Sequence, residues 1–446
     1  MPSSRGEAAG SAGASLTHAL AAGFEALPPH GGYCIGFSGG RDSTALLDAL
    51  HGLRPGRVRA VHVHHGLHAS ADDWAEHCRR FCEARGIGLD IRAVRVRPDG
   101  DGPEAAARRA RHAALQEALR PGELLVLAHH ADDQAETVLF RLLRGGGTAG
   151  AAGMRALRPT GDGGWLWRPL LGVTRDAITA YCRARELQWV DDPGNHGGAN
   201  ARARLRAALP MLEAVVPGAA AALRRHAGLL GDQQALIATA LGPDLATRLH
   251  DGRLDLRGLR GWSRARRHAL LRQYCAALGA PVPGAAWLAE CDTSVIAAGA
   301  DRQPVLQLGA LRACRFDDAL WLLPALPPTE PAWCTNWDGC APLSLPAAAG
   351  SLHCSGAGPP LHALTVGFVA PGTRCRLTAG GRTQRLKHVF QRAGTPPWER
   401  ARTPEIRADG EPVQVGQWRL PAANAYLPGT RFHWRKPHWH LPSEGT

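Results

Sequence analysis

Short apolar runs alternate with stretches of helical spacing along the first part of the chain. Residues 33–37 are such a run and predict a buried strand; residues 44–50 follow with the apolar spacing of a helix. The pattern repeats. Residues 58–65 predict a second strand and 72–85 a helix whose first turn carries Asp72 and Asp73. Residues 89–96, where apolar positions alternate with Arg, predict a third strand, and Pro103 opens a helix over 103–120. Residues 124–128 are apolar on both faces and predict a fourth strand. An amphipathic helix over 14–27 leads into the first strand. Strands alternating with helices in this way predict an α/β fold with a doubly wound parallel sheet, whose ligands sit at the carboxyl ends of the strands.

Beyond this region the pattern changes. Residues 174–188 continue helical, and Asp191 to Asn195 have the composition of a turn. Residues 213–325 are rich in Ala, Leu and Arg with helical periodicity, broken by Gly and Pro at 279–284. Residues 326–360 carry Pro, Gly, Ala and Ser and read as a linker. Strand-like runs return at 364–369, 374–378 and 413–420. The expected organisation is a first α/β domain over 1–212, a small helical domain over 213–325, a linker over 326–360 and a C-terminal α+β domain over 361–446.

Length and charge sharpen this. At 446 residues the chain is too long for one comfortable core. A net charge of +13 and a pI near 9.8 point to a polyanionic partner, nucleic acid first. The excess is almost all arginine, since only Lys387 and Lys436 are lysines, so an arginine-biased composition accounts for part of it. Eleven cysteines are scattered without a C-x-x-C pair, which fits reduced thiols in a cytoplasmic protein. Residues 1–13 lack the basic start and apolar run of a signal peptide, and no segment approaches ~20 uninterrupted apolar residues, so no membrane partner is expected.

The candidate chemistry lies at the predicted strand ends. Ser38-Gly39-Gly40-Arg41-Asp42-Ser43 joins the first strand to its helix, the geometry that aims free N–H groups and a positive helix end at an anion. The serine hydroxyls can donate to the same oxygens, and Asp42 can hold Mg²⁺ against them. No Lys follows the glycines, which disfavours kinase-like γ-phosphoryl transfer. A second cluster, His129 to Glu136, follows the fourth strand; Asp133 and Glu136 share a helix face, where like charges cost free energy unless a cation lies between them. An ordinary acidic helix start would look similar. A third cluster is His62 to His65, after the second strand.

The loop resembles the S-G-G-x-D-S pyrophosphate-binding loop of the ATP-pyrophosphatase (PP-loop) superfamily. Leu127-Ala128-His129-His130-Ala131-Asp132-Asp133-Gln134-Ala135-Glu136-Thr137, with Arg144-Gly145-Gly146-Gly147 after it, resembles the tRNA(Ile)-lysidine synthetase family. So does His62-Val63-His64-His65-Gly66-Leu67, although His64 stands where the family has Asn. Glu104, Arg108 and Arg111 match E-x-x-A-R-x-x-R-Y, with His112 in place of Tyr. Trp167-Arg168-Pro169-Leu170-Leu171 also fits, and Arg202, Arg204 and Arg206 align with R-N-x-I-R, Ala203 replacing Asn. Gly380-Gly381-Arg382, residues 386–390 and residues 396–400 resemble the family's C-terminal module.

The resemblance implies a ligase that joins free L-lysine to C2 of the wobble cytidine in the CAU anticodon of tRNA(Ile), with ATP cleaved to AMP and pyrophosphate through an adenylated cytidine. It implies ATP bound by Ser38, Gly39, Gly40, Arg41, Asp42, Ser43 and His62, with Mg²⁺ on Asp42. Catalytic roles fall to Asp42, Arg108, Arg111, His129, Asp133 and Glu136. The tRNA contacts fall to Arg202, Arg204, Arg206, Arg382, Arg385, Lys387 and Arg400; Trp398, Trp434 and Trp439 are candidates to stack on bases. A tRNA thiolase of the same superfamily is the nearest alternative, disfavoured by the missing C-x-x-C; an amidotransferase-like enzyme and a tRNA-binding module with a degenerate loop are the others. Whether the enzyme is a monomer or a homodimer stays open.

Overall fold

The sheet of the first unit is the frame on which the candidate residues hang. The computed structural model describes residues 16–66, 68–95, 103–160, 164–191, 201–299, 302–356 and 363–437. Most of the expected turn at 191–195, and Trp439, lie outside them. The chain divides into two compact units, residues 1–240 and 241–446.

In the first unit β1 (Gly32–Gly36), α1 (Arg41–Leu53), β2 (Val58–His64), α2 (Ala71–Glu83), β3 (Gly88–Ala93), α3 (Pro103–Glu117), β4 (Glu123–Val126) and α4 (Ala131–Leu143) follow one another as the pattern predicts. Two short strands, β5 (Leu157–Pro159) and β6 (Trp165–Trp167), complete a six-stranded sheet of order β3-β2-β1-β4-β6-β5. All neighbours pair parallel except β5 with β6. Those two strands are too short to show a period, so the antiparallel edge was not legible in the sequence.

Alternation along the strands sorts the core into two layers. Tyr33, Ile35, Leu124, Val126 and Trp167 pack with Leu46, Leu47 and Leu50 of α1, Phe81 of α2, and Ile178 of α5 (Arg175–Ala184). Cys34, Val61, Leu125 and Leu166 face the other way, onto Ala114, Leu115 and Ala118 of α3. Each buried leucine of α1 contributes about 1.5–3 kcal/mol to holding that helix on the sheet. Asp48 sits within this apolar face, buried, and is satisfied by Tyr181 Oη (2.8 Å), Arg185 Nε (3.0 Å) and Arg85 Nε (3.4 Å). That network ties α1 to the segments after α2 and within α5, and so fixes the helix whose N-terminus carries the glycine loop.

The strand order reverses between β1 and β4, which opens a crevice at their carboxyl ends. Helix α6 (Ala201–Val215) follows α5, and α7 (Ala219–Arg248) runs past the boundary between the units. Among the described residues no single helix is long and apolar enough to cross a membrane.

The second unit differs from its expected make-up. Beside the helices Arg264–Ala277 and Ala285–Glu290 it has a five-stranded antiparallel sheet, including Val305–Leu308, Leu311–Phe316 and Ala319–Leu323, that shares their core. Residues 326–360, expected as a linker, contribute strands Cys334–Trp337 and Ser351–Ser355, which pair with Leu364–Phe368 and Arg431–Arg435. Proline and glycine there punctuate short strands. Trp398 packs edge-on to Trp321 at 5.4 Å, and Trp434 donates to the Ala349 carbonyl at 2.8 Å, so both serve packing within this unit.

Candidate active site at the carboxyl edge of the sheet

The loop after β1 is held open from within. Gly39 adopts φ +80°, and a Cβ there would lie 3.0 Å from Cys78 Sγ, so the position needs glycine twice over. Gly40 has φ −73° and serves as the N-cap of α1; only one of the two glycines uses left-handed backbone. Ser38 Oγ lies 3.0 Å from Ser43 Oγ, and Ser43 donates to the Gly40 carbonyl at 2.9 Å, a brace across the turn. The Val190 N–H, donating to the Gly39 carbonyl at 2.9 Å, pins the loop from outside. The result leaves first-turn N–H groups of α1 at the mouth of the crevice.

His62 supports the loop from β2. It is buried, and its ring lies 2.9 Å from the Phe37 carbonyl through Nδ1. Burial pulls its basicity below the usual histidine value, so the neutral ring donates to that carbonyl. His64 instead pairs with Asp72 at 2.9 Å on the surface, an arrangement open to His where the family has Asn.

The decisive side chain is one the sequence pattern did not single out. His130, only 1% exposed, is the N-cap of α4, and its Nε2 lies 3.5 Å from both Asp42 Oδ2 and Asp133 Oδ2. Neutral, its Nδ1 accepts the Asp132 N–H at 3.2 Å; charged, the same nitrogen donates to Asp132 Oδ2 at 3.4 Å. Burial opposes the charge, but the Asp132 and Asp42 carboxylates outweigh it and hold the ring at about 9. Asp132 in turn is held well below the carboxylate range, chiefly by its bond to His130. Burial alone would raise Asp42; His130 and Arg41 together carry it below its ordinary value. The N-cap position was the available signal: a side chain there faces the first turn, where Asp132 and Asp133 stand.

Glu136, 3% exposed, receives Arg206 Nε at 2.7 Å and Nη2 at 3.1 Å, and Arg206 also reaches Asp133 at 3.9 Å. Arg206, expected on tRNA, therefore closes the acidic cluster from α6. Arg204 on the same helix is exposed, and the side chain of Arg202 lies outside the described residues. Four carboxylates (Asp42, Asp132, Asp133, Glu136) meet Arg41, His130 and Arg206, and the charge of Arg175 also bears on Asp132. His129 is half-buried one residue before His130. Arg108 and Arg111 stand on α3, across the sheet from α1. In the second unit Arg382, Arg385 and Lys387 are exposed, whereas Arg400 is half-buried and donates to the Thr395 carbonyl at 2.8 Å.

An anion cradle, a capping histidine and an acidic cluster at the switch point of a doubly wound sheet define an ATP-handling domain. Accordingly, residues 15–212 match the PP-loop domain family, 254–321 the TilS substrate binding domain and 364–434 the TilS substrate C-terminal domain. Among curated relatives, the tRNA(Ile)-lysidine synthase of Alkalilimnicola ehrlichii is 42% identical over 91% of this chain and 94% of its own length. That of Xanthomonas axonopodis pv. citri is 41% identical over 92% of each chain, and that of Methylococcus capsulatus 38% over 88% of this chain and 93% of its own. The chain belongs to the tRNA(Ile)-lysidine synthase family, whose members are ATP-using ligases that act on tRNA.

Proposed function

We propose that this protein ligates free L-lysine to C2 of the wobble cytidine in the CAU anticodon of tRNA(Ile), in the cytoplasm, with ATP consumed to AMP and pyrophosphate. The cytidine O2 attacks the ATP α-phosphorus and pyrophosphate leaves; the lysine ε-amine then attacks C2 and AMP departs with that oxygen. The observation that carries this reading is the convergence of the β1 loop and the β4 acidic cluster through His130 in a chain of this family. The first-turn amides of α1, with Ser38 and Ser43, bind the departing pyrophosphate. Asp42, with Asp133 beside it, fits Mg²⁺, which takes one or two carboxylates plus phosphate oxygens rather than an all-protein cage. Among the described residues no three His, Cys, Asp or Glu side chains gather as such a cage. The ion supplies charge to offset that developing on the phosphates.

Asp133 and Glu136, one helical turn apart on α4, hold the lysine ammonium between them. His130, bonded on both ring nitrogens, orients Asp42 and Asp133 toward one another, and His129 takes part in proton transfer. The division of labour proposed is 1–212 for catalysis, 213–325 for tRNA recognition, and the C-terminal sheets, to which strands of 326–360 belong, for binding the tRNA body through Arg382, Arg385 and Lys387. ATP consumption measured with and without tRNA(Ile) and lysine tests the assignment: AMP formation that needs neither overturns it.

A further inference from the structure

We propose that Arg111, His112, Arg158 and Arg168 form a cationic cradle on the α3 side of the sheet that holds a backbone phosphate of the substrate RNA; this rests on tRNA being the substrate. The strand register brings these residues together. Arg158 of β5 is directly opposite Leu166 of β6, and Leu166 packs on Ala114, Leu115 and Ala118 of α3. Arg168, two residues beyond Leu166, continues the ladder through its N–H to the Ala156 carbonyl at 2.7 Å, so it lies on the same face. On α3, Arg111 and His112 precede Leu115 by four and three residues and share its side of the helix. Leu115 lies beside Gly36 at the end of β1, where a Cβ would come within 3.3 Å of it. A right-handed crossover runs α3 opposite to the strands, so Arg111 and His112 stand a turn nearer the carboxyl edge.

The electrostatics of the cluster are one-sided. Burial lowers Arg158. Arg168 falls to about 10, first through burial and then through the charges of Arg158, Arg108 and Arg141. His112 is lowered by burial and by Arg158, Arg168 and Arg108. The charges that weigh on His112 and Arg168 are thus those of other arginines. Arg168 is 7% exposed; its Nη1 donates to the Arg155 carbonyl at 3.1 Å, while its Nε is buried without an acceptor. Gathering like charges around an unsatisfied buried donor costs free energy in the free protein. A phosphate removes both penalties, and guanidinium groups match its geometry. The nucleotide's phosphates already have the N-terminus of α1, which packs on the opposite face of the sheet. The cradle instead flanks the crevice towards the β6–β5 edge.

The test compares full-length protein with Arg158→Gln, on the edge strand, and with Arg168→Gln, beside it on the same face. Affinity for tRNA(Ile) is measured over a salt series, ATP affinity without tRNA, and thermal melting as a check on folding. Each substitution should weaken tRNA binding about fivefold near physiological salt and reduce the salt slope by about 1, with ATP affinity unchanged. Arg158→Lys should recover most of the slope. An unchanged tRNA slope in both folded variants overturns the cradle while leaving the ligase assignment intact. Weaker ATP binding with an unchanged tRNA slope gives the phosphate to the nucleotide and also overturns it. Failure of the wild-type protein to bind tRNA would remove the ligase assignment and the cradle together.

Discussion

Replacing Glu136 with Gln probes the amino-acid site with little change of shape. In the structure its carboxylate accepts two bonds from Arg206, at 2.7 and 3.1 Å, in a position 3% exposed. Glutamine keeps one acceptor and turns an amide N–H₂ toward the other guanidinium nitrogen. One bond is lost and the other keeps its charged donor but loses the charge on its acceptor, a difference of about 1–2 kcal/mol. If the same carboxylate holds the lysine ammonium, a loss of about 1.4 kcal/mol there raises the lysine concentration for half-maximal product about tenfold. The adenylation half-reaction, read as tRNA-dependent pyrophosphate release without lysine, should change far less, because the α1 amides hold the phosphates. The assay is product formed against lysine concentration, run beside pyrophosphate release against Mg²⁺. Loss of pyrophosphate release with an unchanged lysine dependence would assign the pair to the metal. Normal behaviour in both would refute any substrate role for Glu136.

Three further outcomes follow from the geometry. Asp42→Asn should abolish pyrophosphate release while leaving tRNA affinity within about twofold, as filter binding would read; wild-type turnover would contradict its place at the phosphates. Replacing Arg382, Arg385 and Lys387 together with Ala should weaken tRNA binding and flatten its salt dependence without changing ATP affinity, and an unaltered salt series would make these exposed groups mere surface charge. Glu123 is held below the usual carboxylate value: burial opposes this, but Arg59 Nε at 2.7 Å and the Arg120 N–H at 2.8 Å prevail. Its contribution to stability is therefore present above the unfolded pKa of about 4.3 and is lost as pH falls through the lower folded value. Glu123→Gln should cost about 3 kcal/mol at neutral pH, with the gap to wild type closing in thermal melts taken down to pH 3; a gap independent of pH would contradict the pairing.

The parallel sheet and the loop at its switch point were legible because buried strands and a strand–glycine–helix junction leave strong local patterns. Residues 33–43 carry both. The short edge pair β5–β6 and the strands within 326–360 leave none, since two to five residues do not establish a period and their pairing is set by partners distant in sequence. Asp133 and Glu136 were visible as a like-charged pair on one helix face. Their neutralisation was not: Arg206 reaches Glu136 across 70 residues of chain, and among several arginines on a basic helix nothing local marks the one that turns inward. His130 was obscured by His129, because strand alternation cannot decide which of two adjacent histidines leaves the strand and which caps the next helix.

The central claim is that one site adenylates a tRNA cytidine and then joins lysine to it. Mass spectrometry of nuclease-digested tRNA(Ile) after incubation with ATP, Mg²⁺ and each amino acid separately tests it most directly. The account predicts one anticodon fragment heavier by lysine less one water, formed only with lysine and ATP and matched by equal AMP and pyrophosphate. A fragment carrying sulfur, an adduct with another amino acid, or unmodified tRNA beside ATP turnover would contradict it.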